Sequence, residues 1–366
     1  MKKVMLVFGT RPEAIKMCPL VNELKSRKNK FKTVVCVTGQ HKEMLDQVLD
    51  VFSVIPDYNL HIMKQKQSLF DVTINILDRI KKVLEKENPD VVLVHGDTST
   101  TFVTALACFY LKIPVGHVEA GLRTYDKYSP YPEEFNRQAV GIISDFNFAP
   151  TERAKDNLLN EGKNPESIFV TGNTVIDALK TTVRDNYKNK YLDWASDSKL
   201  ILITAHRREN LGEPMKNMFR AIKRVMDEHE DVKAIYPIHK NPLVREAAKE
   251  IFGDFDRLKI IEPLDVVDFH NFCANSHLIL TDSGGIQEEA PSLGVPVLVM
   301  RNTTERPEGI DAGTLKLVGT EEENIYNNFK LLLENEEEYL KMSEANNPYG
   351  DGDSSTIISD ILEQKL

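Results

Sequence analysis

Residues 281–309, TDSGGIQEEAPSLGVPVLVMRNTTERPEG, follow a short apolar run at 277–280. That run reads as a buried strand. It stops at Thr281-Asp282, turns through Ser283-Gly284-Gly285 and enters a helix-like segment carrying Gln287, Glu288 and Glu289. A strand that breaks at small residues and re-enters a helix aims backbone N–H groups outward at the positive end of a helix dipole, which suits an anion. Two carboxylates one turn into that helix would hold hydroxyls beside it. Phosphate next to a diol points to a nucleotide.

The same strand-then-helix unit repeats on either side. Short β-rich runs stand at 4–8, 34–38, 91–95, 115–118, 146–149 and 168–171, and a second series at 200–204, 233–238, 258–261, 277–280, 295–300 and 315–318. They lack period-two alternation, as expected for strands buried on both faces of a parallel sheet. Segments such as 69–87, 215–230 and 242–251 have helical spacing, so the βαβ signature is read twice. The rhythm pauses in a polar stretch at 184–199, placing a seam within 173–198. The expectation is an α/β chain of two doubly wound parallel-sheet domains facing a central cleft, with chemistry at the carboxyl ends of the strands.

Composition sets the outer bounds. A chain of 366 residues leaves room for two cores, and 41% hydrophobic with 28% charged residues is ordinary for a globular protein. A formal charge of −10 without a basic patch argues against nucleic acid. No run approaches the roughly 18 apolar residues of a membrane span, and the run at 4–8 is too short for a signal peptide. Cys18, Cys36, Cys108 and Cys273 lack paired spacing and read as reduced core thiols, hence a cytoplasmic protein.

Strand ends carry most of the reactive residues. Gly9-Thr10-Arg11-Pro12-Glu13 follows the first strand, with Arg11 suited to a phosphate. His95-Gly96-Asp97-Thr98, then His117, Glu119 and Arg123, then Glu133 and Glu134 with Asn136 and Arg137, follow in the first half. His206-Arg207-Arg208-Glu209-Asn210 and His239-Lys240-Asn241 follow in the second. Glu134 and Arg137 also suit a helix-surface pair. His95, Asp97, His117 and Glu119 lack metal-ligand spacing, so no metal site is expected, with a magnesium held through a nucleotide phosphate left open. There is no G-x-G-x-x-G after the first strand and no G-x-x-x-x-G-K-[ST], which disfavours dinucleotide and P-loop readings.

Taken in order, Gly9-Thr10-Arg11-Pro12-Glu13, His95-Gly96-Asp97-Thr98, His117-Val118-Glu119-Ala120-Gly121-Leu122-Arg123, Pro132-Glu133-Glu134 with Asn136-Arg137, Gly172-Asn173-Thr174, His206-Arg207-Arg208-Glu209-Asn210 and the 281–309 block resemble the non-hydrolysing UDP-N-acetylglucosamine 2-epimerases. The likeness runs from residue 4 to about 318. It implies a GT-B-type fold of two Rossmann-like domains, residues 1–172 with 350–366 on the sugar side and 173–349 for UDP. It also implies reversible conversion of UDP-N-acetylglucosamine to UDP-N-acetylmannosamine through a bound 2-acetamidoglucal, in the supply of surface polysaccharide, without a cofactor. Asp97, Glu119, Glu133 and His206 would be catalytic. Arg11, Ser283, Gly284, Gly285, Glu289 and Arg306 would bind the UDP-sugar.

The resemblance further implies a homodimer and a second UDP-N-acetylglucosamine as activator, at Gln40, Glu43, Lys66, Glu133, Arg207 and His239. Lys66 stands where the family commonly has Arg, and Glu43 where it has Gln. Lysine lacks the bidentate grip of arginine, and Glu43 would repel phosphate. A glycosyltransferase, a hydrolysing epimerase and an inactive UDP-sugar sensor are the competing readings. With UDP-N-acetylglucosamine alone, a hydrolysing enzyme would release free sugar, and a transferase without acceptor or a sensor would give neither that nor UDP-N-acetylmannosamine.

Overall fold

The computed structural model describes residues 1–39, 42–63 and 67–366, and of Lys42 and Glu43 the backbone alone. Gln40 and Lys66, and the side chain of Glu43, lie outside the described residues. The first sheet comprises β1 (Lys2–Phe8), β2 (Phe31–Val37), β3 (Tyr58–Asn59), β4 (Val91–His95), β5 (Val115–Val118), β6 (Phe146–Ala149) and β7 (Ile168–Val170), in the order β3-β2-β1-β4-β5-β6-β7. The second comprises β8 (Lys199–Thr204), β9 (Val232–Pro237), β10 (Leu258–Ile261), β11 (Leu278–Thr281), β12 (Val297–Val299) and β13 (Leu315–Leu317), in the order β10-β9-β8-β11-β12-β13. All pairings are parallel. Strand order reverses between β1 and β4 and again between β8 and β11, and sheets of this kind bind ligands beyond the carboxyl ends at such points.

The chain divides into two compact units, Met1–Thr181 with Tyr349–Leu366, and Thr182–Pro348. Residues 173–181 and Tyr349, expected in the second domain, fall in the first unit, where Val175 and Ile176 pack with Ile15 and Tyr349. The terminal helix Ser354–Lys365 packs on helix Arg11–Ser26, and Arg27 Nη1 lies 2.5 Å from Asp360 Oδ1. In the second unit, Ile201 and Ile203 face one core while Leu200 and Leu202 face another. This two-sided burial is why the strands read as continuous apolar runs.

Local signals set the helix starts. Thr10 and Glu13 form a capping box for helix Arg11–Ser26, and Ser68 and Asp71 form one for helix Leu69–Glu87. Asn88, at φ +44, closes the latter in the left-handed region. Thr98 caps helix Ser99–Leu111, fixing the loop in which Asp97 sits. All four cysteines are free and buried. Among the described residues no helix is long and apolar enough to cross a membrane.

Candidate active site

The loops after β4 and β5 gather the carboxylates of the first unit. Asp97 Oδ2 accepts from Arg137 Nη2 at 2.7 Å, and Asn136 Nδ2 donates to the Asp97 carbonyl at 2.9 Å. Burial pushes the Asp97 carboxyl up to about 6 against the pull of Arg137, with Glu119 and Glu133 adding to the rise. Glu119 follows β5 with φ +64, a left-handed conformation uncommon outside glycine. Its Oε2 accepts from Lys16 Nζ and, at 2.8 Å, from Asn173 Nδ2, and His95 Nε2 lies 3.7 Å away. Glu133 opens helix Glu133–Ile143 and is half-buried.

The two histidines of this cluster are kept neutral. Burial lowers His95 to about 4 and His117 to about 3, and His117 Nε2 lies 2.7 Å from the Gly96 carbonyl oxygen. Among the described residues no three His, Cys, Asp or Glu side chains gather as a metal site.

One expectation for this unit changes, that of a Glu134–Arg137 pair at the helix surface. The turn after β1 is filled by the chain itself, since Gly9 and Thr10 N–H both donate to Glu13 Oε2, at 3.0 and 2.7 Å. Arg11 remains half-buried at the helix start. Glu134 and Arg137 do pair, with 3.6 Å between Oε2 and Nε, but both are buried rather than on the helix surface. Glu134 accepts from the Thr124 and Tyr125 amides at 3.0 Å each, and Arg137 turns to Asp97.

The second unit builds its loops around one fully buried carboxylate, Asp282. It accepts from the His206 amide at 2.9 Å, the Arg207 amide at 2.9 Å and Asn210 Nδ2 at 3.1 Å. These bonds fold the loop after β8 onto the end of β11. His206 stacks on His239 at 5.6 Å between ring centroids, and burial lowers its pKa against the pull of Asp282.

A side chain at Gly284 would stand 3.6 Å from Arg207 Nη2 and 3.7 Å from Arg306 Nη1, so two guanidinium groups converge over that backbone. Arg306 is aimed by Glu288, which accepts from its Nε at 2.7 Å. Glu288 is thereby spent on Arg306, leaving Glu289 as the candidate for a diol. Glu289 Oε2 lies 3.5 Å from the buried His270 Nε2. The Ser283 amide donates to Thr281 Oγ1 at 2.9 Å, so of the expected turn amides those of Gly284 and Gly285 are the candidates for phosphate. The helix is also shorter than expected: Ile286–Glu289 gives way to a 3₁₀ turn, Ala290–Leu293, containing Pro291.

The sequence profile of the UDP-N-acetylglucosamine 2-epimerase family matches residues 22–363. The chain belongs to that family. It is 63% identical to the UDP-N-acetylglucosamine 2-epimerase of Bacillus subtilis over 98% of this chain and 95% of the relative. A crystal structure of the Neisseria meningitidis enzyme bound to UDP-GlcNAc superposes with a TM-score of 0.90 at 50% identity, covering 99% of this chain and 100% of the other. The Methanocaldococcus jannaschii enzyme, in complex with UDP-GlcNAc and UDP, does so with a TM-score of 0.80 at 37% identity, with 99% of each chain covered. The architecture is that of these GT-B-type relatives.

Residue-type reasoning singled out Asp97 and Glu119, named Arg137 and Asn173 without joining them to these carboxylates, and passed over Lys16. Lys16 lies 103 residues from Glu119, Asn173 lies 54 away, and Arg137 is set inside a helix. Asp282, quoted only as a strand end, organises the whole second cluster.

Proposed function

We propose that the chain interconverts UDP-N-acetylglucosamine and UDP-N-acetylmannosamine by eliminating UDP and adding it back. The C1–O bond breaks with its electrons leaving on the diphosphate, and a carboxylate takes the C2 proton, giving a bound 2-acetamidoglucal. Return of a proton to the opposite face and re-addition of UDP at C1 give the epimer. No water is consumed and no redox partner is needed.

The observation that carries this reading is Asp97, a carboxyl at about 6 beside Glu119 at the switch point of the first sheet. A proton carrier is most effective when its pKa lies near the working pH. Asp97, Glu119 and Glu133 act on the sugar in this scheme, and His206 serves the departing diphosphate. Arg306 and the Gly284 and Gly285 amides bind the phosphates, joined by Arg11, and Glu289 takes the ribose hydroxyls. Arg207, assigned beforehand to an activator, points its guanidinium over Gly284 beside Arg306, which also suits a diphosphate.

We place the enzyme in the cytoplasm, supplying surface polysaccharide synthesis, and the four buried thiols agree with a reducing compartment. Three neighbouring helices of the first unit expose Phe70, Ile74, Phe109, Phe135 and Ile142, which supports a homodimer. A second UDP-N-acetylglucosamine acts as activator in this reading, and hyperbolic rates without stimulation of the reverse reaction would remove it.

The decisive experiment is proton NMR of the sugar in deuterated water. UDP-N-acetylmannosamine carrying deuterium at C2 is expected. Free sugar would indicate a hydrolysing enzyme, and no turnover would sink the reading.

A further inference from the structure

Asn173 is 2% exposed and held at four points. Its backbone N–H donates to the Tyr349 carbonyl at 2.8 Å, and its carbonyl accepts from the Ile176 amide at 3.0 Å. Its side-chain Oδ1 accepts from the Val175 amide at 3.1 Å, and Nδ2 donates to Glu119 Oε2 at 2.8 Å. Reversing the side-chain amide would set an NH₂ against the Val175 N–H, so the orientation is locked. Gly172, at φ +78, makes room for the arrangement, since a Cβ there would stand 2.9 Å from the Tyr349 carbonyl oxygen.

Tyr349 is the first residue of the segment that returns to the first unit. A single asparagine therefore fastens Glu119 to the start of helix Thr174–Thr182 and to the returning chain. Lys16 supplies Glu119 with charge on a long, flexible stem. Asn173 supplies direction on a short, locked one.

We propose that Asn173 is the positioning residue of Glu119, fixing the direction in which that carboxylate is aimed at the sugar. The proposal rests on Glu119 acting as proposed above. A merely structural asparagine would cap the helix and do nothing more. Asn173→Asp keeps the acceptor for the Val175 amide but sets a carboxylate against Glu119. Asn173→Ser keeps a capping oxygen without the donor.

In the full-length protein we expect kcat to fall about 10- to 100-fold in both variants, with the KM for UDP-N-acetylglucosamine moving less than about 3-fold. For Asn173→Asp the acid limb of kcat/KM should move up in pH, because a neighbouring carboxylate raises the proton affinity of Glu119. A double-mutant cycle with Glu119→Gln, read by C2 deuterium uptake, should show the Asn173→Asp effect largely vanishing in that background.

An unchanged pH profile with full kcat would overturn the proposal, as would additive losses in the cycle. So would loss of both melting transition and UDP binding in the two variants, which would mark the residue as structural. A wild-type protein that exchanges no C2 hydrogen would instead break the functional reading beneath.

Discussion

The two units place opposite chemistry at the same point of the same kind of sheet. After β4 and β5 the candidate functional groups are acids, Asp97 and Glu119, and basic or amide side chains support them: Arg137, Lys16 and Asn173. After β8, β11 and β12 the candidates are cationic or imidazole groups, Arg207, Arg306 and His206, and buried acids support them: Asp282 and Glu288. The topology offers only a switch point with loops converging on it. Which partner is buried decides the outcome. A buried acid with a raised pKa moves protons, whereas a buried acid that orients arginines builds a seat for an anion.

The sharpest way to break this division is Asp97→Asn. If the first unit does the proton chemistry, kcat should fall by about 10²- to 10⁴-fold while UDP affinity by calorimetry stays within a few-fold. Lost UDP binding would erase the distinction between the units. Asp282→Asn probes the other side. One end of the new amide would face N–H groups of the 205–210 loop, so UDP affinity should drop about 10- to 100-fold, with a stability loss on the order of 1–3 kcal/mol from the disrupted buried network. Arg306→Lys is milder. Lysine keeps the charge but not the planar fork that spans Glu288 and the space over Gly284, so KM should rise about 10-fold with kcat little changed.

Much of the fold was readable from residues alone, and the misses have causes. The strands at 91–95, 115–118, 146–149 and 258–261 end where expected because polar or turn residues bound each run. β3 escaped notice because a two-residue edge strand contributes no run at all. The polar stretch at 184–199 hides helix Lys190–Ala195, whose Tyr191, Leu192 and Trp194 pack on the second core under the charges of Lys233 and Lys259. In the site, residue types were legible because reactive side chains collect at strand ends. Their partners were not, since nothing local joins Lys16 to Glu119 or Arg137 to Asp97. That pairing is written in the tertiary path.

The smallest expected effect tests whether the acid of the first unit costs stability for its role. Asp97 sits at about 6 in the fold against an ordinary value of 3.8, so the folded chain binds this proton more tightly than the unfolded one. Stability contributed by the group is therefore greatest below about 4, falls as pH rises through the window from about 4 to 6, and is fully lost above it. In the second unit the buried acids Asp282 and Glu288 point their oxygens at donors. Asp97→Asn should then raise the melting temperature at pH 8, by an amount equivalent to about 3 kcal/mol, and leave it nearly unchanged at pH 4. Arg137→Gln should move the other way at pH 8 and shift the acid limb of kcat/KM upward, because it removes the charge that holds Asp97 down. An equal change at both pH values would show that Asp97 is not strained toward its protonated form, and the contrast between the units would then rest on geometry alone.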